Sequence, residues 1–331
     1  MNCCKRIFAL VLSLLIIAGL TACQPDQFQE GGNLTPDTIE PAPVTRSNTI
    51  TTQETPPLDQ SVPEYRANTQ TDFDRSRSEF NTGTCRDLSQ DAAIVVLFAS
   101  DDESSWDQDS MSYVCREVEA AAKFIRDVAT TYGYELELPV YYYADNANRR
   151  IHYDGVIMTG GEKLDALANI AENWGFQDKW AMHEALQEHL EMEQLAYIVV
   201  HNKAGYSFAQ SVSNISGTND GCQPEYCVVS MSYASGWVNQ AETYAHELLH
   251  LFGAQDLYQK NINGTVYNAD RAALAMKLCP GDVMLCNVWD IRKAEISGFT
   301  AYCVGLIDFL PSNYDCDAWW VGTQWERIYT P

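Results

Sequence analysis

The chain has 331 residues, 46% of them hydrophobic and 20% charged, with 21 Lys and Arg against 45 Asp and Glu, a formal net charge of −24. That apolar share excludes a wholly disordered chain, and the length allows one large domain or two small ones. So acidic a balance excludes a basic phosphate-gripping surface, so no nucleic acid is expected as a partner, nor an anionic lipid face held by basic patches.

The N-terminus reads as an export signal. Lys5 and Arg6 precede a nearly unbroken apolar run over residues 7–20, too short to cross a bilayer comfortably and suited to a signal-peptide core. Leu20-Thr21-Ala22-Cys23 then resembles the bacterial lipobox. The resemblance implies that residues 1–22 are removed and that Cys23 carries a diacylglycerol and an acyl chain such as palmitate, a stable membrane anchor. It places the protein on the extracytoplasmic side of the cell envelope. Gln24 after the cysteine favours the outer membrane where there are two. Residues 23–84, rich in Thr, Pro, Gln and Asn, cannot bury enough surface to offset their ordering entropy and are expected to be a disordered tether. Such a tether would hold a domain on the order of 40 Å from the membrane.

With Cys3 and Cys4 in the signal and Cys23 lipidated, the cysteines left are Cys85, Cys115, Cys222, Cys227, Cys279, Cys286, Cys303 and Cys316. An even number in an exported domain predicts disulfides. Pairing of neighbours is expected: 85–115, 222–227, 279–286 and 303–316. No CxxC pair favours a zinc-thiolate cluster instead.

The folded domain is expected over residues 85–331. Residues 92–99 (AAIVVLFA) form a continuous apolar run, the pattern of a fully buried strand. Residues 112–131 cluster Val114, Val118, Ala121, Ala122 and Ile125 on one helical face. Strands are predicted at 136–143, 155–158 and 195–201, a helix at 176–194, and a C-terminal helical region at 291–306. Residues 227–233 mix polar with apolar side chains, the pattern of an edge strand. Alternating strands and helices predict an α/β domain with a mixed, mostly parallel sheet.

The chemistry concentrates between Asn239 and Asp256, in the run NQAETYAHELLHLFGAQD. Asn239 suits a helix start and Gly253 a left-handed exit. His246 and His250, four apart, face the same way on that helix and can chelate one zinc ion, while Glu247 can reach a water on the metal.

HExxHxxGxxD resembles the metzincin clan of zinc endopeptidases, in the snapalysin-type variant whose third ligand is Asp rather than His. The resemblance implies a zincin fold with an active-site helix and, here, a disulfide-rich C-terminal subdomain. It implies zinc held by His246, His250 and Asp256, Glu247 as general base, and Gly253 at the turn that brings Asp256 round. A Met-bearing turn beneath the histidines is also implied. Met276 and Met284 are the candidates, and Met284, after Pro280-Gly281-Asp282, is the better placed. Tyr233 and Trp237 are expected at the cleft wall, with the 227–233 edge adding a peptide as an extra strand. Tyr258 is a candidate donor to an oxyanion. Protein or peptide substrates follow from this reading. A family using a later Glu as third ligand would employ Glu295, leaving Gly253 and Asp256 without a role. Ser232-Tyr233-Ala234-Ser235-Gly236 lacks the first Gly of a nucleophile elbow. The alternative from another class is a catalytically inactive, zinc-binding or adhesin-like surface lipoprotein.

Overall fold

Residues 92–99 are apolar at every position because both faces of their strand are covered. In the computed structural model they form β1, Ala92–Ala99, buried throughout. Ile94, Val96 and Phe98 enter one core, whereas Ala93, Val95 and Leu97 enter another, as the period of two along a strand requires. The structure describes residues 83–308 apart from 146–149, 158–164, 212–222, 234, 263–264 and 268. The signal segment, Cys23, nearly all of the tether, Cys222 and Cys316 lie outside the described residues. Among those described, no helix is long and apolar enough to cross a membrane.

Four more strands complete the sheet: β2 (Val140–Tyr143), β3 (Gln194–Ala204), β4 (Phe208–Gln210) and β5 (Tyr226–Ser232). Their order is β2-β1-β3-β5-β4. All neighbours are parallel except β4, which runs antiparallel to β5. Helices α1 (Gln108–Thr131) and α4 (Ala241–Leu251) pack on one face, and α2 (Ala166–Asn173) with α3 (Lys179–Leu190) on the other. Beyond α4 come a small hairpin, β6 (Lys260–Ile262) and β7 (Thr265–Tyr267), then α5 (Ala269–Leu278) and α6 (Gly298–Cys303).

Several expectations need correction. The strand over 227–233 is not an edge, because β4 covers its first half. The chain then folds back to cover the rest: Asn239 N–H donates to the Met231 carbonyl at 3.1 Å and Tyr233 N–H to the Trp237 carbonyl at 2.8 Å. The helix expected over 176–194 is shorter. Asp178 caps its start, and Glu191 ends it in the left-handed region at φ 51°. Residues 155–157 form no strand. They lie in a bend tied to the first loop, where Ile157 N–H donates to the Asp101 carboxylate at 2.9 Å. Residues 291–306 make a short 3-10 turn and then α6 rather than one helical region.

The disulfide expectation fails for the pairs whose members are both described. Cys85 lies at the N-terminal end of the parallel strands, its Sγ donating to the Leu195 carbonyl at 3.2 Å. Cys115 lies at the opposite end, in the early turns of α1, where its carbonyl accepts from the Tyr142 hydroxyl at 3.2 Å. No bridge can span that separation. Cys279 is a buried thiol and Cys286 an exposed one, so the expected 279–286 bridge is absent and no disulfide of the expected C-terminal subdomain forms among the described residues. Cys227 and Cys303 are buried in the core, and the residues expected to pair with them are outside the described set.

Two core histidines set a pH dependence. Burial lowers both His183 and His201 to about 4, with Lys203 adding to the effect on His201. Both are therefore neutral when folded and take up a proton only when unfolded between pH 4 and the ordinary value near 6.5. The unfolded state binds more protons in that window, so their contribution to stability is present above 6.5 and is lost as pH falls toward 4. His183→Gln keeps a partner for the Tyr197 hydroxyl and should reduce the loss over that window by on the order of 2 kcal/mol. Denaturant unfolding at a series of pH values measures it.

Candidate metal centre

Helix α4 starts without a cap from its own segment, since Gln240 makes no side-chain cap bond. The expected cap, Asn239, instead donates its amide to the Ser230 carbonyl at 2.7 Å and accepts from the Thr243 hydroxyl at 3.3 Å. Helix α1 supplies what is missing. The Glu117 carboxylate accepts from Ala241 N–H at 3.0 Å, and the Tyr113 hydroxyl donates to the Asn239 carbonyl at 2.9 Å. Tyr244, Ala245, Leu248 and Leu249 bury the helix against the sheet, which leaves the opposite stripe for chemistry. Gly253, at φ +97°, turns the chain out of the helix, a conformation that costs a glycine little.

That turn brings the expected ligands together. His246 Nε2 and His250 Nε2 are 3.1 Å apart, and Asp256 Oδ1 lies 3.3 Å from the first and 3.1 Å from the second. His250 Nδ1 donates to the Ala254 carbonyl at 2.8 Å, and His246 Nδ1 to the Val283 carbonyl at 3.2 Å. A carbonyl only accepts, so in the neutral, metal-binding form of each ring Nδ1 carries the proton and Nε2 keeps its lone pair. Two lone pairs and a carboxylate oxygen therefore face one point. A tetrahedral zinc with bonds of about 2.0–2.1 Å holds its donors about 3.3–3.4 Å apart, so the donor set fits such an ion. It is the one such group of three or more His, Cys, Asp or Glu among the described residues.

The 3-10 turn Val283–Leu285 holds this arrangement from beneath. Asp282, fully buried, accepts from Met284 N–H at 2.8 Å, Ser297 N–H at 2.8 Å and the Thr300 hydroxyl at 2.7 Å. Met284 is fully buried and its carbonyl accepts from Leu257 N–H at 3.0 Å, whereas Met276 is half exposed. One turn thus orients His246 through Val283 and fixes the backbone next to Asp256 through Met284.

The surroundings are electronegative. Burial pushes the His246 imidazole toward its neutral form, but Cys286, Asp256 and Glu247 outweigh it and hold the group well above its usual range. Glu247 is buried on the same helix. Tyr258 is pushed upward by burial first and by Asp256 next. Its hydroxyl is hydrogen-bonded to the Asp256 carboxylate, and its ring sits 6.0 Å from that of His246. Cys286 Sγ lies 3.6 Å from His246 Nδ1.

The Tyr233 hydroxyl meets Thr243 Oγ1 at 3.1 Å, and its ring stands edge-on to Trp289 at 6.3 Å. Trp237 is exposed. Glu295 is outside the cluster: its side chain lies over Gly281 and its backbone pairs with Gly281 and Val283. Sequence reasoning missed Arg271, which is buried on α5 and donates from Nη1 to the Asp256 carbonyl at 3.0 Å. Its segment, with Asp270 and Lys277 on the same short helix, carries no sequence signal that sets Arg271 apart.

No family model matches the chain, and neither does any curated protein. Among solved structures it is similar to metalloproteinase-II from Bacteroides fragilis, at 11% identity and a TM-score of 0.29, over 76% of this chain and 59% of that one. The chain thus spans about three-fifths of that structure's length. A likeness so low adds nothing to what the side chains themselves say.

Because Arg271 holds the backbone of Asp256, Arg271→Met should weaken zinc binding about 10- to 100-fold, as loss of a group supporting a ligand does. Competition against a chelator, on protein shown by circular dichroism to be folded, reads the effect.

Proposed function

We propose that the chain is a zinc-dependent endopeptidase, exported and held on the extracytoplasmic face of the cell envelope by a lipid on Cys23. The observation that carries this reading is the convergence of His246 Nε2, His250 Nε2 and Asp256 Oδ1 at 3.1–3.3 Å, with both Nδ1–H groups tied to carbonyls. His246, His250 and Asp256 would hold the zinc, which would supply Lewis acidity toward a water and a scissile carbonyl.

The chain's own groups do the rest. The Glu247 carboxylate takes the proton of the attacking water and delivers it to the departing amide nitrogen. Tyr258, bonded to Asp256, orients that carboxylate. Val283 and Ala254 keep both imidazoles in the tautomer that presents Nε2. The Trp289 ring lines the cleft beside the start of α4, with the Tyr233 ring edge-on to it at 6.3 Å.

Glu247→Gln should keep zinc and lose about 10²- to 10⁴-fold in peptidase turnover. His250→Ala and Asp256→Ala should lose the metal. Elemental analysis with a casein assay, run with and without chelator, separates these effects. Near-normal activity in Glu247→Gln contradicts the mechanism, and an inert wild type with zinc bound points to a binding lipoprotein instead.

Support for the anchor comes from the lipobox-like run ending at Cys23 and the polar tether after it. Cells grown with labelled palmitate should incorporate label into the wild type and not into Cys23→Ala. Equal labelling of the two contradicts the anchor.

A further inference from the structure

Beside the start of α4 lies a cleft of about 370 Å³ lined in part by Glu117, Glu242, Trp289, Asp290 and Arg292. Its charges are not alike. Asp290 and Arg292 neutralise each other through two hydrogen bonds, at 2.8 and 3.0 Å. The Glu117 carboxylate is occupied with Ala241 N–H. Glu242 remains. It is 8% exposed, and its Oε2 is buried with no hydrogen-bond partner among the described residues.

An unpartnered buried carboxylate oxygen is costly to a fold, because the group gives up its water and receives nothing in return. A Glu in the first helical turn normally gains from the dipole while still solvated. Here Glu242 instead lines the cleft from a buried position, its Oε2 shut off from solvent. Burial first, and then Glu117 and Asp290, raise its carboxyl to about 7, so an arriving cation would be met by a group ready to ionise. Trp289 is 64% exposed, and the face of an indole is a good surface for a cation. The only metal-like cluster among the described residues is His246, His250 and Asp256. With Asp290 and Glu117 already engaged, an organic cation suits this cleft better than a compact metal ion.

Position gives the cation a source. Glu242 precedes His246 by one helical turn on the same face, a rise of about 6 Å. That is close to the reach of a Lys or Arg side chain from a peptide lying over the metal centre. We propose that this cleft is a selectivity pocket that receives a Lys or Arg side chain flanking the scissile bond, with the Glu242 carboxylate as its anion and the Trp289 ring as its wall. The inference rests on the endopeptidase reading above.

The test has two arms, both on zinc-loaded full-length protein. In the first, peptide pairs that differ only in Lys, Arg, norleucine or Glu at each position flanking the cleaved bond are compared by kcat/KM. At one flanking position Lys or Arg should exceed norleucine by about tenfold or more. Glu242→Gln should bring that ratio close to one, and Glu242→Lys should reverse the preference toward Glu. In the second arm, n-butylguanidinium is titrated against tryptophan fluorescence, with Trp289→Phe as the control. A saturable change that is lost in both Trp289→Phe and Glu242→Gln is expected, whether or not any peptide is cut.

Cleavage with no basic preference, or a preference that survives Glu242→Lys, overturns the pocket while leaving the peptidase standing. Binding of butylguanidinium without a basic preference in cleavage makes the cleft a site for a free cation and also overturns it. If no peptide is cut at all, the peptidase reading falls and takes the substrate assignment with it.

Discussion

Everything at this site depends on where two ring protons go. His246 and His250 each donate Nδ1–H to a main-chain carbonyl, Val283 and Ala254, and only then do both Nε2 lone pairs face Asp256. A neutral imidazole has one donor and one acceptor, so the backbone partner of one nitrogen decides what the other can do. The Ala254 carbonyl is in place because Gly253 takes a left-handed turn. The Val283 carbonyl is in place because Asp282 gathers three donors from the turn and from the start of α6. A buried carboxylate, several residues from any ligand, thus sets the tautomer of a ligand.

The α/β layers serve the same end. Helix α4 has no cap of its own and packs its apolar face on the sheet, so α1 must hold its start through Glu117 and Tyr113. That contact joins residues more than 120 positions apart in the chain. It also has a consequence for the cleft. With Glu117 engaged at the helix start, Glu242 is left as the one carboxylate of the cleft with a buried oxygen unmatched. Fold and binding surface are built from the same side chains.

Much of the centre could be read from the chain because its chemistry is local. His246, Glu247 and His250 sit on one helix, and Gly253 and Asp256 follow within a turn, so helical spacing and a glycine exit suffice to bring them together. The continuous apolar runs at β1 and β3 were legible for a similar reason, since a strand covered on both faces shows no alternation. What was not legible came from long-range contacts. Arg271 reads as an ordinary helix residue until α5 folds against Asp256. The polar residues in 227–233 suggested an edge, yet they are served by the returning chain at Trp237 and Asn239. The cysteine parity suggested bridges, but parity says nothing about which end of a sheet each cysteine occupies. Cys286, expected in a bridge to Cys279, was not read as a neighbour of His246, since that position is visible only in three dimensions.

That neighbour makes the most direct test a spectroscopic one. X-ray absorption at the zinc edge of purified protein reports the identity and distance of each donor. One bound zinc with two imidazole nitrogens and carboxylate or water oxygen at about 2.0–2.2 Å, and no sulfur, is the predicted result. A sulfur shell at about 2.3 Å would mean that a cysteine such as Cys286 takes a ligand position, and a protein that binds no zinc at all would remove the centre altogether; either would contradict the His246–His250–Asp256 assignment.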